Sequence, residues 1–306
     1  MKKNSIFLIL VVLAVIVITL PHAYKSYKVL SEKKAKQLIL KKRAAEWEQL
    51  RLILEREVAA FKGEAAIVVK DLDTGSEIAF NKYNKYPSAS LVKIPIMFAA
   101  FSAAQEGRLK LDKAVAVKAA SKTGGSGVLK NFTPGTTVTV KELIELMITG
   151  SDNTATNMLI DLLGFDYLNT YFTKIGLKST NLSRKMMDFD HRKKGVENYS
   201  TADDMSILLE KLYRNELFNE EITKQCMAFL KNQRHNDRIP AQLPYCVTVA
   251  HKTGLEKEVC HDAGIVFAPR GNYVICVLTV EQKNSKIAKE FISNTSFQAY
   301  KYYSQF

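Results

Sequence analysis

Residues 86–93 read Tyr-Pro-Ser-Ala-Ser-Leu-Val-Lys, and here the sequence changes from a strand pattern to a helix pattern. Two short apolar stretches come before it, Ala65–Asp71 and Glu77–Phe80. They flank Asp73-Thr74-Gly75, which is typical of a β-hairpin turn. From Ser90 to Ala104 the apolar residues follow a helical spacing instead. The sequence therefore predicts that Ser90 stands where a helix begins.

Ser90 and Lys93 are candidates for a nucleophile and its base. Residues three apart lie on the same face of a helix, so the lysine amine can reach the serine hydroxyl. Backbone N–H groups at the start of a helix also favour an oxyanion that forms beside them. The Ser-x-x-Lys pattern alone is weak, because Ser31-Glu32-Lys33-Lys34 repeats it in a basic segment without other motifs.

A second motif, Ser151-Asp152-Asn153, follows a predicted helical segment and Gly150. These residue types often cap helices or form loops, because their side chains bond to nearby backbone groups. The functional interpretation is that Ser151 passes a proton to a leaving nitrogen while Asn153 holds a substrate amide. The motif by itself does not separate these two interpretations.

The third motif, Lys252-Thr253-Gly254, is predicted to end a strand that begins at Cys246. At the edge of a cleft, Lys252 would supply a cation and Thr253 a hydroxyl for a carboxylate. Gly254 would let the substrate backbone approach closely. A second copy, Lys122-Thr123-Gly124, has no strand before it, and context therefore favours Lys252.

Strand patterns cluster at the two ends of the chain, and helix patterns fill the middle. We therefore expect an α/β plus all-α fold, in which strands from both chain ends form one antiparallel sheet flanked by terminal helices, with a helical lobe inserted. The further predicted segments are strands at Cys246–Lys252, Ala263–Ala268 and Tyr273–Glu281, and helices at 28–61, 141–163, 202–232 and 286–303.

The three motifs occur in the order found in class A β-lactamases and penicillin-binding proteins. The chain resembles the class A β-lactamase-like family of penicillin-recognising serine enzymes over about residues 46–306. The resemblance implies a β-lactamase/transpeptidase-like fold and acyl-enzyme chemistry without a cofactor or metal. The stretches that carry it are YPSASLVK (86–93), GGSGVL (124–129), TVKELIELMITGSDNTATNMLI (139–160) and HKTG (251–254).

The family roles can be carried over position by position. Ser90 would be the nucleophile, Lys93 its base or proton relay, and Ser151 the proton shuttle. Asn153 would bind substrate, and Lys252, Thr253 and Gly254 would form the carboxylate site. The resemblance also implies an oxyanion hole made by the backbone N–H groups of Ser90 and Leu255.

The sequence departs from the family in the loop that supports deacylation. Class A β-lactamases carry a glutamate there, which activates the deacylating water. When residues 182–190 are aligned on Leu182 and Arg184, Met186 takes the position of that glutamate. A thioether cannot act as a base, so deacylation would depend on Asp188, Asp190 or Glu197, or be slow. The arginine that follows Lys-Thr-Gly in the family is also not evident.

Several functions stay open at this stage. The chain is predicted to hydrolyse β-lactams or related amides; the alternatives are a peptidoglycan D,D-peptidase and a penicillin-binding sensor that stays acylated. A Ser-His-Asp hydrolase is disfavoured, because no histidine stands in a recognisable motif. The candidate histidines are His191, His235, His251 and His261. We expect a structural role for each of them, although His251 or His261 could contact substrate.

The N-terminal region predicts a membrane anchor. An apolar run from Ile6 to Leu20 follows Lys2 and Lys3, and Pro21 disfavours signal cleavage after Ala23. The lysines after the run favour a cytoplasmic location for the segment that carries them. The predicted cell-wall-directed chemistry instead favours a catalytic domain outside the cytoplasmic membrane. The predicted regions are a signal-anchor at 1–24, a basic juxtamembrane helix at 25–45 and the catalytic domain at 46–306, with a sheet lobe (46–88 and 236–306) and a helical lobe (89–235).

Charge and cysteine content limit the partners. Residues 1–60 hold twelve basic and five acidic residues, which places +7 of the net charge of +13 beside the apolar run. This placement favours an anionic membrane or cell-wall polymer over nucleic acid. The four cysteines form no C-x-x-C pair, so no zinc site is indicated, and buried thiols are favoured over disulfides. We expect a monomer.

Overall fold

The computed structural model describes residues 2–280 and 284–304, apart from the side chains of residues 2–26, 29, 35 and 36. Its contacts divide the chain into Met1–Leu52 and Ile53–Phe306. Helix α1 spans Lys2–Ala60 and includes the helix expected at 28–61. No described helix is long and apolar enough to cross a membrane. The side chains of the predicted anchor, Ile6–Leu20, lie outside the described residues.

Strands from both ends of the second unit form one five-stranded antiparallel sheet, as predicted. The strands of this sheet are β1 (Glu64–Asp71), β2 (Glu77–Phe80), β7 (Thr248–Glu256), β8 (Val259–Phe267) and β9 (Tyr273–Val280). Their order is β2-β1-β9-β8-β7, so the first strand of the sheet in sequence pairs directly with the last. The three C-terminal strands are buried along almost their whole length, which matches their nearly continuous apolar sequences.

Short strands and helices occupy the described sequence between and after these strands. The small pairs join β3 (Tyr86–Pro87) to β6 (Tyr199–Ser200) and β4 (Ala114–Ala116) to β5 (Thr137–Thr139). The helices of the inserted lobe are α2 (Lys93–Gln105), α3 (Val140–Thr149), α4 (Asn153–Leu163), α5 (Phe165–Lys174), α6 (Phe189–Lys193), α7 (Ala202–Tyr213) and α8 (Glu220–Lys231). Helix α9 (Ser285–Ser304) then returns to the sheet.

Two segments predicted as single helices are each broken in two. The segment 141–163 divides at Ser151, whose φ of +54° lies in the left-handed region. Asp152 then caps α4 by accepting a hydrogen bond from the backbone N–H of Ala155 at 2.9 Å. The segment 202–232 divides before Asn219, which caps α8 in the same way. Polar capping residues override the helical periodicity at both breaks.

Helix α2 forms the centre of the helical lobe. Its side chains are buried nearly all round, and it packs against α3, α4, α5 and α8. An all-apolar helix of this kind is stable only inside a core. Phe98 and Phe101 contact Phe218, with ring centroids 5.6 Å and 6.4 Å apart. The packing fixes the start of α2, where the Ser90–Lys93 motif lies.

Strand β7 is longer than the sequence predicts. It continues to Glu256, so Lys252-Thr253-Gly254 lies inside the strand and does not end it. Lys257 and Glu258 alone join β7 to β8, and Glu256 pairs with Val259. Glu258 adopts a φ of +68° without being a glycine. The turn was missed because it lacks the glycine or asparagine that usually marks a two-residue hairpin.

His261 of β8 ties the sheet to the segment before Ser90. Its side chain is fully buried, and Nε2 donates a hydrogen bond to the carbonyl oxygen of Pro87 at 2.8 Å. Nδ1 accepts a hydrogen bond from the backbone N–H of Thr279 at 3.1 Å. These partners require the neutral ring, and burial lowers the pKa of His261 to about 4.

The fold should therefore lose stability as the pH falls from 6.5 toward 4, because His261 binds a proton in the unfolded chain but stays neutral when it is buried. The free energy of unfolding should fall by about 3 kcal/mol in total from this histidine, at about 1.4 kcal/mol per pKa unit. Urea unfolding across this range should show a smaller pH dependence in His261→Gln than in the wild type. His191→Gln, which changes an exposed histidine, is the control and should behave like the wild type.

Candidate active site

Ser90 lies in a 3₁₀ turn, Ala89–Val92, that leads directly into α2. Ala89 has a φ of +44°, a conformation that costs an alanine energy and persists only when its surroundings enforce it. Gly254 of β7 packs against this turn. A Cβ atom on Gly254 would lie 3.2 Å from His261 Cδ2, 3.3 Å from Ala89 Cβ and 3.3 Å from the carbonyl oxygen of Ser88. The groups that approach Gly254 closely in the structure are thus the turn before Ser90 and the ring of His261, and the approach of a substrate to Gly254 stays a prediction.

Lys93 is fully buried below Ser90. Its Nζ lies 2.7 Å from the carbonyl oxygen of Ser151, 3.0 Å from Ser151 Oγ and 2.8 Å from Asn153 Oδ1. Burial, followed by the charge of Lys252, holds the pKa of Lys93 well below its ordinary value. The lowered pKa favours the neutral amine, which is the form of lysine that can accept a proton.

The hydroxyl of Ser151 stands at the centre of the site. Its Oγ lies 2.9 Å from Ser90 Oγ, 3.0 Å from Lys93 Nζ and 3.1 Å from Lys252 Nζ. The sequence predicts that Lys93 reaches Ser90 directly, whereas in the structure the hydrogen bonds of Lys93 go to Ser151 and Asn153. With Lys93 neutral, the Ser90 proton can move to Ser151 while the Ser151 proton moves to Lys93.

Asp152 holds the second motif in place. Its carboxylate accepts backbone hydrogen bonds from Val128 at 2.6 Å, Leu129 at 2.9 Å and Ala155 at 2.9 Å. Gly127 makes this possible, because a Cβ atom there would lie 2.2 Å from Asp152 Cγ. The loop 124–129 is thus packed onto the motif.

The second Lys-Thr-Gly copy, at 122–124, takes part in the same packing. The backbone N–H of Thr123 donates to Thr154 Oγ1 at 3.1 Å, and Asn153 Nδ2 donates to the carbonyl oxygen of Gly124 at 3.1 Å. This copy supports the second motif through its backbone.

Lys252 is the second buried lysine of the site. Its Nζ donates to Ser151 Oγ and, at 2.9 Å, to the carbonyl oxygen of Thr253. The pKa of Lys252 is lowered to about 7, mainly by burial; the charge of Asp262 opposes this shift, and the charge of Arg238 adds to it. The carboxylate of Asp262 already binds the ring of His251 at 2.9 Å and the backbone N–H of Ile239 at 3.0 Å.

Arg238 is a residue that the sequence analysis missed. Its side chain is buried, and Nε donates to Cys260 Sγ at 3.2 Å. The family resemblance places an arginine after the third motif. Arg238 instead precedes β7, and its charge acts on Lys252 only in the folded chain. Its burial distinguishes it from other arginines, and the burial of a single arginine is not visible in a sequence.

Ser90 opens into a cleft of about 260 Å³. Leu255 also lines it, which places the two residues of the predicted oxyanion hole at one cavity. Met186 forms part of the wall, and its backbone is held by Asn157, which accepts from its N–H at 2.8 Å and donates to its carbonyl oxygen at 3.2 Å. The other lining residues are Gly125, Ser126, Asn153, Met187, Phe189, Glu256 and Lys257.

The three carboxylates suggested for deacylation all have structural partners. Asp188 caps α6 and accepts from His191 Nδ1 at 2.7 Å. Asp190 is exposed and pairs with Lys193 at 3.3 Å. Glu197 is buried against Arg184 at 2.8 Å. None of the three lines the cleft as the described residues form it, so a role in deacylation stays a prediction.

The remaining histidines and the cysteines do not form a second centre within the described part of the chain. His251 is buried between Asp262 and Asn236, whose Oδ1 lies 3.0 Å from Nε2. Burial also lowers the pKa of His235. All four cysteines are free, and the described residues hold no group of three side chains suited to a metal.

Comparisons with known proteins agree with this geometry. A family model described as "Beta-lactamase enzyme family" matches residues 48–303. β-Lactamase VEB-1 of Pseudomonas aeruginosa is 25% identical over 281 residues, covering 85% of this chain and 92% of that protein. A β-lactamase structure from Sphaerobacter thermophilus is 30% identical with a TM-score of 0.75, covering 83% of this chain and 96% of the other.

A second group of similar structures is named PBP-A. One is 30% identical with a TM-score of 0.77, covering 83% of this chain and 95% of the other. A PBP-A mutant, 29% identical with a TM-score of 0.76 and covering 84% and 96%, was solved as an acyl-enzyme complex with penicillin G.

The pKa of Lys252 leads to a pH prediction. Lysine keeps its charge below its pKa, so attraction of a substrate carboxylate should weaken above about pH 7. The second-order rate of Ser90 acylation should therefore fall on the alkaline side. In Lys252→Arg, whose side chain stays charged, this alkaline fall should disappear even if the maximum rate is lower. Stopped-flow acylation by a carboxylated β-lactam from pH 5 to 9 measures it, and an alkaline limb that persists in Lys252→Arg contradicts the assignment.

Proposed function

Because the chain belongs to the beta-lactamase enzyme family, whose serine hydrolases act on β-lactams through an acyl-enzyme, we propose that Ser90 is the residue acylated in this cleft. The observation that carries the proposal is the cluster of two buried lysine amines around the hydroxyl of Ser151, which itself lies 2.9 Å from Ser90 Oγ. This arrangement provides a base, a proton path and a cation within one set of hydrogen bonds.

Acylation follows from these contacts. Neutral Lys93 takes the proton of Ser90 through Ser151, and Ser90 Oγ forms a bond to the β-lactam carbonyl carbon. The backbone N–H groups of Ser90 and Leu255 stabilise the oxyanion. The C–N bond then breaks, and Ser151 delivers the proton to the leaving nitrogen.

The substrate is held by groups on both sides of this reaction. Lys252, Thr253 and Arg238 attract its carboxylate. Asn153 lies at the cleft wall and offers its amide to the acyl side chain. The residue set predicted from the three motifs thus divides into proton transfer and substrate binding.

Deacylation is slow in this proposal. The ester needs a second base to orient a water molecule, and such help is worth roughly 10²–10⁴-fold in rate. Met186 occupies the position of the family's loop glutamate, and its thioether cannot act as a base. The likeness to PBP-A, one mutant of which holds penicillin G as an acyl-enzyme, supports a long-lived adduct.

A second candidate function is a D,D-peptidase acting on peptidoglycan-derived peptides. Met186 favours it as well, because the loop glutamate belongs to the β-lactamases of the family, and the acylation cluster would serve a D-Ala-D-Ala bond equally. A penicillin-binding sensor would use the same acylation step without turnover. Release of D-alanine from a synthetic stem peptide separates the peptidase from both other functions.

The intact mass of the protein mixed with penicillin G should show an adduct that lasts for minutes or longer. Ser90→Ala should form none, and Ser31→Ala should label normally. Met186→Glu should shorten the adduct lifetime by roughly a hundredfold, because it restores a base beside the ester. Rapid wild-type turnover would refute slow deacylation, and Asp188→Asn, Asp190→Asn and Glu197→Gln would then identify the base.

We also propose that Ile6–Leu20 tethers the catalytic domain outside the cytoplasmic membrane. The apolar run and the cell-wall-directed chemistry of the family support this location. A fusion of alkaline phosphatase after Phe306 should be active, and the protein should sediment with membranes. An active cytoplasmic reporter at the same position would instead mean that the lysines after the run decide the orientation.

A further inference from the structure

A cluster of four charged side chains joins the loop 182–198 to strand β7. We call these residues, Arg184, Arg192, Glu197 and Glu256, the loop clamp. Each arginine binds both carboxylates. Arg184 lies 2.8 Å from Glu197 and 3.1 Å from Glu256, and Arg192 lies 3.1 Å from each.

Glu256 differs from the other members because it comes from outside the loop. Arg184, Arg192 and Glu197 pair within the loop and hold its own shape. Glu256 belongs to β7, two residues after Gly254, and its side chain is 11% exposed while that of Arg184 is 1% exposed. Two positive and two negative charges balance in this site, so removal of one carboxylate leaves two arginines to share the other.

The part of the loop that faces the cleft depends on this link. Met186 is held separately by Asn157. Among the hydrogen bonds and ion pairs of the described residues, those of 187–194 stay within the loop, except the bond from Arg192 to Glu256. Met187 and Phe189 lie in this part, and both line the cleft.

The cleft wall in this part of the loop is apolar. Met187 and Phe189, together with the separately held Met186, face a cavity that Leu255 also lines. Phe189 and Leu255 are 40% and 47% exposed, which leaves apolar surface open for a ligand. Methionine side chains adapt their shape, so such a wall suits apolar groups of varied outline.

We infer that Glu256 is a positioning residue, which through Arg192 keeps this apolar wall against the cleft and so favours β-lactams with an apolar acyl side chain. The inference rests on the proposed acylation of Ser90. Glu256 itself takes no part in the proton transfers. Its effect should therefore depend on whether the substrate carries a side chain that reaches the wall.

The test compares two compounds in Glu256→Gln. Penicillin G carries a phenylacetyl side chain, and 6-aminopenicillanic acid has the same ring system without it. The second-order acylation rate with penicillin G should fall about tenfold, the lower range of what an apolar subsite contributes. The rate with 6-aminopenicillanic acid should change by about twofold or less. Glu258→Gln, an exposed glutamate on the same hairpin, should change neither rate.

Two other results would overturn the inference. Equal losses of acylation rate with both compounds would mean that Glu256 acts in the chemistry or in general folding. Unchanged rates with both compounds would mean that Glu256 has no positioning role. If Glu256→Gln does not fold, Arg192→Gln, which removes the more exposed arginine, should give the same substrate-dependent ratio. A wild-type protein that neither compound acylates would instead contradict the proposed function.

Discussion

Two lysine amines are buried around a single serine hydroxyl, and the rest of the active site depends on that arrangement. Lys93 Nζ and Lys252 Nζ lie 3.0 Å and 3.1 Å from Ser151 Oγ. Removal of two like charges from water is costly and lowers the pKa of both amines. Burial and the charge of Lys252 hold the pKa of Lys93 well below its ordinary value, and burial lowers that of Lys252 to about 7. Both amines are thereby shifted toward the neutral form, which can accept a proton.

The surrounding structure keeps this pair in place. Lys93 is fixed by the packing of α2, and Lys252 by its place in β7, where it pairs with Ala263 of β8. Ser151 reaches both amines only because its backbone adopts a φ of +54°, which Asp152 and the loop 124–129 stabilise. The strained residues are Ser151 itself and Ala89, which directly precedes Ser90, and strain of this kind is common at catalytic sites.

The sequence predicted the sheet, the helical lobe and the three motifs, because each depends on local pattern. Apolar periodicity located β1, β2 and β9 to within one residue, and motif order singled out Ser90 and Lys252. Features that depend on long-range contacts were missed. The Lys257-Glu258 turn has no turn residue, Arg238 reaches Lys252 only in the folded chain, and Glu256 meets Arg192 across 64 residues.

The pairing of β1 with β9 also governs when the protein can assemble. Glu64 pairs with Val280, and Asp71 pairs with Tyr273, so the first strand has its central neighbour only when nearly the whole chain exists. Closing so long a loop slows folding, since its entropy must be lost before the contacts form. During synthesis, the helical lobe is complete before the strand that carries Lys252 emerges. A nascent or truncated chain therefore holds Ser90 and Lys93 without a cleft, and reactivity begins only at the last step of folding.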